Sequence, residues 1–175
     1  KAAPVIAEYL SLLQTKIQSH ATNLDIYGNP VNNHTDYLSP VNMDKYSQLM
    51  DKAEKLTEND TTAFQHIQSL RLTQEYVYLQ QAKFFGKDRD GLFVKDEAGN
   101  FIIRPGLPNR VERFIAMSIQ SGVKELSEGG ISPEKYASQW KEIFHTKPKD
   151  NLAANAKVTL VYPFAPEYPS KKEKT

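Results

Sequence analysis

The sequence contains no cysteine. That excludes structural disulfides and thiolate nucleophiles, although it leaves the compartment open, because exported bacterial proteins often lack cysteine too. Net charge is also nearly absent. Twenty-two Lys and Arg against 21 Asp and Glu leave +1, so no global field recruits nucleic acid or an anionic surface. The one charge run, Lys171 to Lys174, is interrupted by Glu173 at the terminus and reads as a solvated tail. No apolar run approaches the roughly 18–20 residues needed to cross a bilayer, and no signal-peptide pattern is visible. Position 1 is lysine, read as a processed terminus or as a cut; either would remove the export history. There is no glycine-rich phosphate loop, no nucleophile elbow and no candidate triad. The four histidines, His20, His34, His66 and His145, are scattered without metal-site spacing. No metal and no cofactor is therefore expected, and His66 reads as a polar edge of the core. No repeat of 20–50 residues appears, which leaves a solenoid unsupported.

Amphipathic helices make up most of what is present. "PVIAEYLSLLQTKIQ" sets Val5, Ile6, Tyr9, Leu10, Leu13 and Ile17 three and four apart, on one helical face. The next stretch, residues 23–40, is rich in Asn, Gly and Pro and reads as a loop. Its Leu24, Ile26, Tyr27, Tyr37 and Leu38 imply packing on the body. Ser39-Pro40 then caps and opens a helix with Met43, Tyr46, Leu49, Met50 and Ala53 in a stripe. After the "END" break comes a long helix, "TTAFQHIQSLRLTQEYVYLQQAKFF". Its Phe64, Ile67, Leu70, Leu72, Val77, Leu79 and Phe84 drift round the surface, which predicts a central helix with neighbours on more than one side.

"LFV" and "FIIR" around a Gly-Asn turn predict a small hairpin. "DRDG" at Asp88 to Gly91 lacks the rest of a calcium loop and runs straight into "LFV", so it reads as a turn before a strand. Asn109 is a candidate cap for "RVERFIAMSIQSGVKEL", with Val111, Phe114, Ile115, Ile119 and Val123 inward and "SEGG" ending it. Ser132-Pro133 opens a last helix with Tyr136, Trp140, Ile143 and Phe144. "VTLVYPFAPEYPSKKEKT" closes the chain as an extended segment. Its Pro163, Pro166 and Pro169 suit a linker, and its Tyr162, Phe164 and Tyr168 predict that it folds back on the helices. The fold class is mainly α: a bundle of about five helices with a small β-hairpin and a C-terminal extended strand. Residues 1–146 form the bundle domain, and 147–175 a linker and extended segment leading towards a further domain.

Candidate chemistry is sparse. Asn33-His34-Thr35 and Asn59-Asp60-Thr61 fit the N-glycosylation pattern, a triplet common by chance. Glycoside chemistry needs two carboxylates facing across a sugar. Glu75 with Glu112, Glu125 or Glu128 is available, but no spacing selects a pair. Arg71 and Glu75 stand i, i+4 on the long helix. Among Tyr76 and Tyr78 they read as a structural polar pair that fixes helix register. Trp140, Tyr136 and Phe144 fall at helical spacing and favour a core. Trp140, Tyr136 and Tyr162 are also the candidate ligand-binding residues, since aromatic faces stack on sugar rings.

The stretch "YLSPVNMDKYSQLMDKAEKLTENDTTAFQHIQSLRLTQEYVYL" resembles the region after the catalytic barrel in a group of large bacterial, Bacteroidetes-type glycoside hydrolases distantly similar to alpha-glucuronidases. The matching features are Tyr37 to Pro40, Ala53 to Lys55, the acidic break Glu58 to Asp60, and Arg71 to Leu79. Arg110 to Trp140 is similar to that group as well. The closing segment resembles the lead-in to a discoidin-like β-sandwich. These are packing and capping motifs, and none carries a catalytic residue onto this chain. The resemblance implies a non-catalytic C-terminal helical domain of an exported, periplasmic or cell-surface enzyme. Its partners would be the upstream catalytic domain and the downstream β-sandwich, with no nucleic acid and no membrane span. The alternative is a stand-alone helical module that binds glycan or protein.

Overall fold

Ser-Pro starts two helices, as its order predicts. Ser132 Oγ accepts from the Lys135 amide at 3.3 Å, while at Ser39 the backbone carbonyl alone takes the Met43 amide at 2.9 Å. A computed structural model describes residues 1–19, 28–127 and 129–146. The helices are α1 (Ala3–Ser19), α2 (Pro40–Thr57), α3 (Thr61–Phe85), α4 (Leu107–Gln120) and α5 (Pro133–Phe144), and each packs against the next along the chain. Between α3 and α4 lies an antiparallel hairpin, β1 (Phe93–Lys95) and β2 (Phe101–Ile103), which pairs Phe93 with Ile103 and Lys95 with Phe101. The protein is a helical bundle with a small hairpin, as expected. The predicted closing strand, the segment 147–175 and residues 20–27 lie outside the described residues. No described helix is long and apolar enough to cross a membrane.

Two apolar clusters form the core. Ala2, Val5 and Tyr9 of the N-terminal helix region meet Tyr46, Met50 and Ala53 of α2 and Ile67 of α3. Leu72, Leu79 and Ala82 of α3 meet Leu92 and Phe93 of the hairpin region, Leu107, Val111, Phe114 and Met117 of α4, and Tyr136 and Trp140 of α5. Both clusters share α3, which is the central helix. It starts at Asp60, whose side chain accepts from the Ala63 amide at 3.0 Å, and it stops at Gly86. The loop before α2 packs on the body through Val31 and Leu38, both buried.

Several expectations are corrected. Leu10 is exposed and Leu12 packs in its stead, because position 10 lies about 140° round the helix from Val5 and position 12 only about 20°. Leu70, Phe84 and Ile119 are exposed and His66 lies on the surface, while Arg71, Gln74, Glu75 and Gln81 of α3 are buried. Asn109 is not the cap of α4. The helix begins two residues earlier, after Gly106, with Pro108 in its first turn. It also ends before "SEGG". Gly122, at φ 74°, sends the chain into the left-handed region, and the Val123 amide reaches back to Ser118 O at 3.0 Å and Gly122 to Ile119 O at 3.0 Å. That pair of bonds is the Schellman termination, for which glycine carries no Cβ penalty.

The "DRDG" segment is the predicted turn before a strand. The Gly91 amide donates to Asp88 O at 3.0 Å, and Arg104 Nε donates to Gly91 O at 2.8 Å, tying the turn to the hairpin. A Cβ at Gly91 would stand 2.3 Å from the Gly86 carbonyl oxygen and 2.8 Å from that of Asp88. Both obstacles are backbone and cannot swing aside. Gly91→Ala is expected to lower unfolding free energy by about 2 kcal/mol, read from urea denaturation. A wild-type midpoint in the variant would mean that the turn has room for a methyl group.

Candidate functional site

The site builds outward from α3. Arg71, Glu75 and Tyr78 lie at i, i+4 and i+7 and share one stripe. On α2, Ser47, Asp51 and Glu54 repeat that spacing and face it. Arg71 Nη1 donates to Asp51 Oδ1 at 2.6 Å and to Glu54 Oε2 at 3.1 Å, and Nη2 donates to Ser47 Oγ at 3.1 Å. Its Nε points along its own helix to Glu75 Oε1 at 3.4 Å. From the other side, Arg110 of α4 takes Glu75 with both prongs of its fork, Nε to Oε2 and Nη2 to Oε1 at 3.1 Å. The Arg110 guanidinium lies 3.6 Å from the Tyr78 ring centre, which holds its plane in place. Two cations and three carboxylates thus run from α2 through α3 to α4.

Burial decides which links matter. The Glu75 side chain is 11% exposed and that of Asp51 62%. Exposed pairs are screened and contribute about 0–1 kcal/mol, so the stabilisation is concentrated at Glu75. Burial on its own lowers the Arg71 pKa. Its hydrogen bond to Asp51 and the charges of Glu54, Asp51 and Glu75 outweigh this, and the net direction is up. Arg71 is a permanent cation. A carboxylate with each oxygen held by a permanent cation acts as an anchor between helices. The predicted polar pair is therefore present, and it is part of a larger network. Sequence reasoning missed Ser47, Asp51, Glu54 and Arg110. The 47/51/54 spacing beside the apolar stripe of α2 was the available signal for the first three.

Among the described residues, none of the acids considered as a catalytic partner for Glu75 is buried beside it. Glu112 and Glu125 are exposed, and Glu128 lies outside the described residues. Among the described residues no group of three His, Asp or Glu stands close enough to hold a metal ion. His34 is engaged locally, with Nδ1 2.6 Å from Val31 O and its ring edge-on to Phe85 at 4.9 Å.

The candidate ligand-binding aromatics are corrected here. Trp140 is 1% and Tyr136 3% exposed, so neither presents a face to a ligand. They form a ladder of rings instead. Phe114 meets Tyr136 edge-on at 5.8 Å, Tyr136 meets Trp140 edge-on at 6.2 Å, and Trp140 meets Phe144 at 5.4 Å. Edge-on geometry suits the ring quadrupoles; Phe114–Tyr136 joins α4 to α5, and the other two contacts run along α5. Tyr162 lies outside the described residues. Comparison with protein-family models, with curated proteins and with solved structures finds no match for this chain.

Two predictions follow from these contacts. Glu75→Gln leaves two guanidiniums facing a neutral amide and is expected to cost about 3 kcal/mol of stability, whereas Asp51→Asn should cost less than about 1 kcal/mol. Equal losses in urea denaturation would overturn the assignment of Glu75 as the anchor. Burial also pushes the Tyr136 and Tyr46 phenols from 10.0 up to about 12. The folded state therefore holds these protons more tightly than the unfolded chain. Their stabilisation is complete below pH 10 and is lost as pH rises through about 12. Alkaline unfolding should coincide with tyrosinate absorbance, and Tyr136→Phe should move the midpoint to higher pH. A midpoint unmoved in the variant would exclude Tyr136 as a contributor.

Proposed function

We propose that this chain is a non-catalytic helical domain of a larger exported carbohydrate-active enzyme, where it buttresses a catalytic barrel that precedes it. The carrying observation is the state of Glu75. It is the one buried carboxylate among the described residues at the heart of the bundle, and both of its oxygens are held by Arg71 and Arg110. Its role is to join helices. The carbohydrate-active context, the periplasmic or cell-surface location and the β-sandwich partner rest on the resemblance of residues 37–79 and 110–140 and of the closing segment.

A groove of about 310 Å³ beside α3, lined by Leu72, Tyr76, Val77, Phe114, Val123 and Leu126 among others, supports packing against protein, because its walls are mainly apolar. The neighbour proposed for it is the barrel. Burial of Trp140 and Tyr136 weighs against a module that reads glycans on those rings.

The chain assayed alone on uronic-acid and hexosaminide substrates is expected to show no turnover. Turnover that disappears in Glu75→Gln or in Glu128→Gln would replace the scaffold with an enzyme.

A further inference from the structure

A second cleft, of about 280 Å³, lies between α1, α2, α3 and the turns of residues 28–38. Among the described residues it is lined by three tyrosines (Tyr9, Tyr37, Tyr46), three amides (Asn29, Asn33, Gln74) and small or aliphatic residues, none of them charged. Gln74 is the informative member. It is 5% exposed, and its Nε2 is buried without a hydrogen-bond partner. Leaving a buried donor unmade costs about 1–3 kcal/mol, and folded proteins leave few such groups. Gln81, two turns further along the same helix, shows the ordinary solution: its Nε2 donates to Leu38 O at 3.0 Å. Gln74 faces the cleft instead.

The walls are already built. Tyr46 donates its hydroxyl to Tyr37 O at 3.0 Å, and the Tyr9 ring stands edge-on to Tyr46 at 5.6 Å. Asn29 is oriented by accepting from the Val31 amide at 3.0 Å. These contacts fix side chains before any ligand arrives.

We propose that this cleft binds a neutral, hydroxyl-bearing ring, a monosaccharide in chemical class, with a ligand oxygen accepting from Gln74 Nε2. An ionised ligand would lose hydration here with no opposite charge to compensate. Amides offer both donors and acceptors, the two functions that hydroxyl groups require. Tyrosine rings give an apolar surface to the carbon faces of the ring. The volume, just below the roughly 300–1,000 Å³ of small-molecule sites, suits one ring. This assignment rests on Gln74 and its cleft, and stands or falls separately from the scaffold role.

The test is a titration of the full chain, with the Gln74 side-chain amide followed by nuclear magnetic resonance. Methyl β-glucopyranoside and methyl β-galactopyranoside are the neutral probes, and glucuronic acid is the charged one. A saturable shift of the Gln74 amide with at least one neutral probe is expected, with a dissociation constant of about 1–10 mM. The shift should be absent with glucuronic acid, and the Tyr9 and Tyr46 ring signals should respond to a neutral probe in the wild-type chain and not in Gln74→Leu. No saturable shift with either neutral probe would overturn the site, and would mean that Gln74 meets water only. An equal response to glucuronic acid would overturn the neutral ligand class.

Discussion

One carboxylate between two guanidiniums determines how this bundle is put together. The apolar core is divided, with Ile67 of α3 in the cluster shared with the N-terminal helix and α2, and Leu72, Leu79 and Ala82 in the cluster shared with the hairpin, α4 and α5. Arg71 stands at the seam, between Ile67 and Leu72 in sequence, and Glu75 follows one turn later. Helix α3 is flanked on both sides there, so whatever occupies those positions is taken out of water. An unpaired charge would be expelled, and a single pair would leave lone pairs and protons unmet. The network pairs both guanidiniums and both oxygens of Glu75, and leaves Glu54 Oε1 as its one buried oxygen without a partner among the described residues. Glu75 takes a bidentate fork from α4, and Arg71 distributes its donors over Ser47, Asp51, Glu54 and Glu75.

Such a network is a weak source of net stability compared with well-packed aliphatic residues. Its effect is on geometry. A hydrophobic seam would let α2 and α4 slide along α3, because apolar contacts are not directional. A bidentate arginine–carboxylate pair accepts one register. The aromatic ladder continues that constraint on the far side, since Phe114 lies one turn after Arg110 on α4 and its ring contacts Tyr136 of α5. The register set at Glu75 is therefore passed to α5 through rings.

The elements of this fold were legible where local chemistry decides them. Proline after serine and the period of α2 and α5 each act within a turn or two, and the structure follows them. Some failures were local, as at Leu10 and at the two ends of α4; the others turn on tertiary packing. Position Ile119 looked as apolar as Met117, but which of them faces inward depends on the angle at which α4 meets α3, and no residue on α4 encodes that angle. The pairing of Arg71 with Glu75 could be read because both stand on one helix. Arg110 could not, because its partner is 35 residues away and nothing near it in sequence marks it as different from Arg113. Trp140 and Tyr136 carried two readings, core and platform; burial selected the first, and that too is a tertiary property.

The same distinction separates the two polar features of α3. Arg71 and Glu75 are charged, and every strong contact they make is internal. Gln74 is neutral, adjacent in sequence to Glu75, and turned about 100° round the helix from it, towards a cleft whose described lining, with Tyr9, Tyr46 and the turns before α2, carries no charge. Replacing Gln74 with leucine would remove an unmet donor from a cleft with apolar walls and would by packing logic stabilise the bundle, since burying an apolar group in place of an unsatisfied amide is favourable. A glutamine held at that position is an exception to the rule by which the rest of the helix is built. At Glu75 the protein itself supplies partners to both carboxylate oxygens; at Gln74 Nε2 it supplies none.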